Sequence, residues 1–357
     1  GYRWLSPSLG FTAGWMFLCA KSASAATAAL GCAGYFLNAS GIGSSSWQVP
    51  LALGIVLTLT YLALSGIRRS NVANIAIVTT TLLALLILIV AAAPVAWRGG
   101  AINLHPFFAP ANATVHPVSG VLNAAALMFV AYAGYARITT IAEEVHAPQS
   151  TIPRAIILSL LVSLTLYLLI GLILVAAIGA AQVSAATDQN AAPLMDLAQS
   201  LAIPGVIQVV AIGAITAMLG VLLNLILGLS RVTLAMARRG DLPHSLATIA
   251  PSTSSPSRAV ISIACLVGAL VLIGDVKWTW SLSALTVLIY YAITNLAATR
   301  LNTAERVYSQ RLPWFGLAGC LGLAFWIEMQ IWLVGLGLIA GGLIWHMLAQ
   351  RLKRRKP

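Results

Sequence analysis

Between Val72 and Trp97 the chain carries no charged side chain, and that run fixes the solvent in which the protein folds. A helix needs ~20 apolar residues to cross a ~30 Å hydrocarbon core, and several runs in this chain approach or exceed that length. Charged residues are 8% of the chain and hydrophobic ones 60%, with a mean hydropathy of +0.93. A soluble domain carries about 25% charged residues, so a water-soluble globule is excluded. Lipid offers the backbone no hydrogen-bond partners, so the runs must be helices; the apolar–polar alternation of a barrel is absent.

Ten apolar segments follow one another: Gly10–Leu37, Val49–Gly66, Val72–Trp97, Val121–Ala142, Ile156–Ala180, Val206–Met236, Ala259–Ile273, Trp280–Ala298, Trp314–Ile327 and Ile331–Leu348. Ala259–Ile273 and Trp314–Ile327 are short for a span. Ten crossings put both ends on one side, and the distribution of basic residues supports that count. Arg3, Arg68, Arg69, Arg154, Arg238, Arg239, Arg258, Arg300, Arg306, Arg311, Arg351, Lys353, Arg354, Arg355 and Lys356 fall in one set of connections. The other set holds Arg98 and Lys277, while Lys21, Arg137 and Arg231 lie within segments. The expectation is an integral protein of a plasma (bacterial inner) membrane with both termini cytoplasmic. The net charge of +12 then reads as a topology signal and not as a nucleic-acid surface, because it is spread between apolar runs. The basic tail, 351–357, is expected to lie against anionic lipid.

Other chemistry lacks its motifs. Cys19, Cys32, Cys265 and Cys320 sit inside apolar runs without metal-type spacing, and the five histidines are dispersed. There is no HExxH, GxSxG or phosphate-binding loop, so no catalytic residue, metal or cofactor is assigned.

The segments also hint at symmetry. Val49–Gly66 and Val72–Trp97 are joined on the basic side by "IRRSN", and Ala259–Ile273 and Trp280–Ala298 on the opposite side by "GDVKW". The second pair follows five helices after the first, and an odd offset inverts its orientation, as in the inverted repeats of secondary transporters. The expected organisation is one membrane domain. Residues 1–97 form the remainder of a first repeat, 119–301 a second, and 312–350 two additional helices. A first repeat matching the second needs two helices before Gly10.

Polar residues appear where lipid should forbid them in "FVAYAGYARITTIAEEVHAPQSTIPRAI", Phe129 to Ile156. This stretch resembles the sixth helix and following loop of the amino acid–polyamine–organocation transporters. "GLSRVTLAMARRGDLP" is similar to the end of that family's eighth helix, and "SPSLGFTAGWMFLCAKSASAA" to the entry to its third. The resemblance covers essentially the whole chain and implies an all-α, inverted-repeat (LeuT-like) transporter fold. The ten segments would be helices three to twelve of twelve, and the glycine-rich first helix has no counterpart.

Gly134 lies near mid-membrane, where it removes bulk and eases a helix break. A break survives in a membrane only where it lines a polar cavity. Carbonyls of Val130, Ala131 and Ala133, left unpaired, would accept from a substrate ammonium, and amides beyond the break would favour a carboxylate. The resemblance implies this use for zwitterionic amino acids. The competing reading is close helix packing at Ala131 and Gly134. Phe129 is a candidate gate one turn earlier, and Tyr132 and Tyr135 are pocket wall and gate or ordinary core.

The remaining candidates carry two readings each. Arg137, Glu143 and Glu144 form an ion-pair latch or a solvated helix end. Lys21 is a functional intramembrane cation, or a structural one about 9 Å below an interface marked by Trp15, with a stem able to snorkel. Asn224 hydrogen-bonds substrate or glues two helices. Thr79, Thr80 and Thr81 stand where some family members place a coupling lysine, or return hydroxyl bonds to their own helix. Ser230 is a further polar candidate. Coupling to H+ or to Na+ stays open, as does the oligomeric state.

No acidic residue falls in a predicted membrane core, which favours a neutral or apolar amino acid over a polyamine or other organic amine. A non-transporting membrane sensor or scaffold is the alternative from another class.

Overall fold

The structure, a computed structural model, describes residues 2–42, 45–65, 71–105, 116–134, 147–190, 192–250, 255–302, 306 and 308–354. Among these it holds twelve α-helices and no strand: α1 (Pro7–Ala39), α2 (Gln48–Leu64), α3 (Asn71–Asn103), α4 (Pro117–Tyr132), α5 (Pro148–Ile178), α6 (Ala180–Asn190), α7 (Pro193–Ser200), α8 (Val206–Arg239), α9 (Ser257–Val271), α10 (Val276–Ala298), α11 (Arg311–Ala324) and α12 (Met329–Arg354). Among the described residues each apolar segment of the sequence holds one helix of 14 residues or more. The two short ones, α6 and α7, were not expected; they lie between α5 and α8.

Six helices, α1, α3, α5, α8, α10 and α12, are long and apolar enough to cross a membrane. The protein is therefore an integral membrane protein. Burial sorts the six. In α1, 78% of the most apolar stretch is buried and in α10 72%, against 11% in α5 and 17% in α3. Exposed leucines, isoleucines and valines such as Leu83, Val90, Leu158 and Leu168 cover α3 and α5, the arrangement expected of surfaces facing acyl chains.

Sequence explains why α1 is central. Its run of alanines, glycines and serines lets neighbours approach closely: a side chain at Gly31 would press on Met218 of α8, and one at Gly14 on Met236. Ser6 caps α1, its side chain accepting from the Leu9 amide, with Pro7 opening the helix. Asp275 caps α10 through the Trp278 amide at 3.0 Å. Gly240 ends α8 in the left-handed conformation, φ 78°, with Arg238 and Arg239 against the negative end of the helix.

Hydroxyls line the contact between α1 and α10. Ser24 Oγ and Ser283 Oγ lie 2.7 Å apart, Thr27 donates to Thr279 at 2.9 Å, and Ser283 donates to the Ala20 carbonyl at 3.0 Å.

A polar hub ties the chain together beyond α8. Asp241, 4% exposed, accepts from the Tyr2 hydroxyl at 2.7 Å through Oδ2. Arg239 Nε lies 3.7 Å from the same oxygen and His346 Nδ1 3.8 Å from Oδ1. Trp345 Nε1 donates to the Asp241 carbonyl at 2.9 Å, Phe11 stacks on His346, and the Arg239 guanidinium caps the Tyr2 ring. The N-terminal segment, α1, α8 and α12 thus meet at one carboxylate.

Candidate functional site

The chain breaks off helical geometry inside the bundle at one informative place. Helix α4 has 16 residues, which span about 24 Å at ~1.5 Å per residue, less than the ~30 Å of a hydrocarbon core. It starts at Pro117, one turn before the expected Val121, and stops at Tyr132, ten residues before the expected Ala142. Ala133 turns out of the helix at ψ 17°, its amide donating to the Val130 carbonyl at 3.1 Å. Ala133 is 2% exposed. The end of α4 packs against α10 and α11 in a cluster that also holds Met16, Ala20 and Leu288.

The carbonyls at this end are not unpaired, and that corrects the sequence expectation. Val130 O accepts from Ala133 N–H, Ala131 O accepts from the Tyr167 hydroxyl at 3.4 Å, and Ala133 O accepts from Lys21 Nζ at 3.3 Å. The physical reason is that the chain's own turn takes the first and other helices reach the other two. Tyr167 comes from α5, and its ring packs edge-on against Tyr132 at 5.3 Å. Lys21 comes from the middle of α1.

Lys21 thus directs its ammonium to a protein carbonyl. Trp15, which the sequence reading placed at an interface, donates its Nε1 to the Leu338 carbonyl of α12 at 2.9 Å. The Lys21 ammonium points at the C-terminal end of α4, where helix carbonyls carry partial negative charge. That end solvates a cation which would otherwise be costly in lipid.

Gly134 is exposed, and among the described residues a Cβ built there meets nothing within 4 Å. An aromatic chain joins α1, α10 and α4: Phe17 of α1 meets Tyr290 edge-on at 5.5 Å, Tyr290 lies 4.6 Å from Tyr291, and Tyr291 meets Phe129 of α4 at 5.6 Å. Tyr290, Tyr291, Tyr167 and the Ser24–Ser283 pair went unrecognised in the sequence. The adjacent "YY" in an otherwise apolar helix was the available signal for two of them.

The other candidates lie on α3 and α8. Asn224 Nδ2 lies 3.5 Å from Asn74 Oδ1. Thr81 returns its hydroxyl to the Ile77 carbonyl at 2.8 Å, Thr79 is exposed, and Thr80 is half-buried. Ser230, 1% exposed, donates to the Leu227 carbonyl at 2.9 Å. Thr81 also borders an apolar cavity of about 180 Å³ with Tyr35, Leu194, Gly213 and Met218. Tyr135, Arg137, Glu143 and Glu144 lie outside the described residues.

A model of the family described as amino acid permease matches residues 1–347. The chain is similar to an uncharacterized transporter of Mycobacterium tuberculosis, 36% identical over 355 residues, covering 97% of this chain and 74% of the relative. It is 30% identical over 276 residues to a branched-chain amino acid permease of Bacillus subtilis, covering 71% of this chain and 56% of the relative. A vacuolar cationic amino acid transporter of Arabidopsis thaliana is 28% identical over 227 residues, covering 64% of this chain and 36% of the relative.

Proposed function

Because the chain belongs to the amino acid permease family, we propose that it carries neutral or apolar amino acids across the membrane by alternating access. The observation that carries this reading is the end of α4. A helix stopping at Tyr132 with Ala133 buried and Gly134 in open space supplies carbonyls and room at membrane depth. Phe129, Val130, Ala131, Tyr132, Ala133 and Gly134 then form one wall of the substrate site. Tyr290 and Tyr291 extend that wall, and Phe129 acts as a gate against Tyr291.

The substrate's α-ammonium needs acceptors and its carboxylate needs donors. The Ala131 and Ala133 carbonyls are the acceptors, reached by displacing Tyr167 or by sharing the oxygen with Lys21, since a carbonyl oxygen has two lone pairs. Movement of α1 against α10 opens the site to alternate sides. Asn224 serves as interhelical glue between α3 and α8 rather than as a substrate contact. The driving gradient, H+ or Na+, is read from the same experiment.

Uptake of labelled leucine, valine and phenylalanine into proteoliposomes tests the reading under imposed proton and sodium gradients. Saturable, gradient-dependent flux is expected. Flux of an organic amine alone would replace the substrate class, and binding without flux would replace transport by sensing.

A further inference from the structure

Two positive charges compete for the same acceptors at the end of α4, one belonging to the protein and one to any amino acid. The protein's own is Lys21, whose Nζ donates to Ala133 O at 3.3 Å. We infer that Lys21 sets the charge selectivity of the carrier: its ammonium at the α4 end excludes amino acids with cationic side chains and admits zwitterions with uncharged ones. The inference deepens the transport reading above and rests on it.

The argument is electrostatic. A zwitterion has no net charge, so it can turn its carboxylate toward the Lys21 ammonium and its own ammonium toward the Ala131 carbonyl. A cationic amino acid keeps a net positive charge in every orientation. Coulomb energies grow as the dielectric falls away from bulk water, so like charges weigh more at this depth than at a surface. A charged group of the protein facing the site can suppress the wrong ligand while leaving the right one in place.

Placement supports the same conclusion. Lys21 sits on α1, with Ser24 and Thr27 one and two turns further along the same helix and hydrogen-bonded to α10. Ala20 and Ala23, close to it along the helix, are fully buried. The acidic residues whose positions are described, Asp188, Asp196, Asp241, Asp275 and Glu328, fall in α6, in α7 or at the ends of α8, α10 and α12.

The test uses the full chain in proteoliposomes, comparing wild type, Lys21→Gln, Lys21→Met and Lys21→Arg. Leucine uptake is measured with arginine as competitor, and ligand-induced thermal shifts of the purified variants with leucine and arginine give the same ratio where flux is lost. In wild type and Lys21→Arg, arginine should compete poorly. In Lys21→Gln and Lys21→Met its apparent affinity relative to leucine should rise by about tenfold or more. A ratio unchanged within twofold across all four proteins, by flux or by thermal shift, overturns the inference while leaving leucine transport standing. Absence of flux and of thermal shift with every amino acid in the wild type overturns the transport reading, and this inference with it.

Discussion

Replacing Asp241 by asparagine, alone and together with Tyr2→Phe, isolates the bond that fastens the N-terminal segment to the end of α8. The Tyr2 hydroxyl donates to a carboxylate oxygen at 2.7 Å, and the Asp241 side chain is 5% exposed. A hydrogen bond to a charged group contributes ~1.5–3 kcal/mol, and a buried group left without its partner costs ~1–3 kcal/mol. Tyr2 is only partly covered, which favours the lower end. Arg239 adds little, because its side chain is 54% exposed and such pairs contribute ~0–1 kcal/mol. Each single variant should therefore lose about 1.5–2.5 kcal/mol, and the double variant clearly less than the sum. The coupling energy should be about 1–1.5 kcal/mol. Equilibrium unfolding in mixed dodecylmaltoside–SDS micelles, followed by tryptophan fluorescence, measures all four corners of the cycle. A coupling below about 0.5 kcal/mol, the scatter expected of independent sites, would refute the claim that this bond joins the two segments.

Three further outcomes follow from named positions. Gly134→Leu should abolish uptake while shifting stability by less than ~0.5 kcal/mol, as for a site with no neighbours to crowd; equal losses of both would return this glycine to a packing role. Gly335→Val should lower the unfolding free energy by about 1–3 kcal/mol through overpacking, because a Cβ there falls 2.6 Å from Leu285 Cδ2; an unchanged midpoint would show that α10 and α12 separate freely. Burial raises the Asp196 carboxyl above its ordinary value of 3.8, so folding favours its protonated form. Stability should fall as pH rises from that value through the raised one, and Asp196→Asn should remove that part of the slope in thermal midpoints taken from pH 3.5 to 6.5.

Where sequence predicted well, the signal was local. Each of the ten apolar runs holds one helix, since length and lack of charge act on a segment without reference to its neighbours. Helices α6 and α7 escaped because they are short and, in the stretch 181–200, mixed in polarity, so no membrane rule applies to them. The stop of α4 near Gly134 was legible in "AYAGYA". What fills its carbonyls was not. Lys21 reaches Ala133 across 112 positions and Tyr167 reaches Ala131 across 36, and no pattern within either segment encodes the meeting. Asn224 illustrates the same limit. Its polarity marked it as interior, but only the fold shows that Asn74, 150 positions away, is beside it.

The hydroxyl-lined contact between α1 and α10 has a mechanical consequence. A hydroxyl both donates and accepts and rotates freely about its C–O bond, so Ser24, Thr27, Thr279 and Ser283 can trade partners as the two helices slide. Thr27 also has the Ala23 carbonyl at 3.0 Å, and Thr279 has Asp275 and Val276 carbonyls within 3.1 Å, so a small displacement strands no donor. Salt bridges at the same positions would have to be broken outright before anything moved. The two most deeply buried of the six membrane-length helices thus meet along a contact whose hydrogen bonds can be exchanged, and the alternating access proposed above would not have to open a dry, locked core.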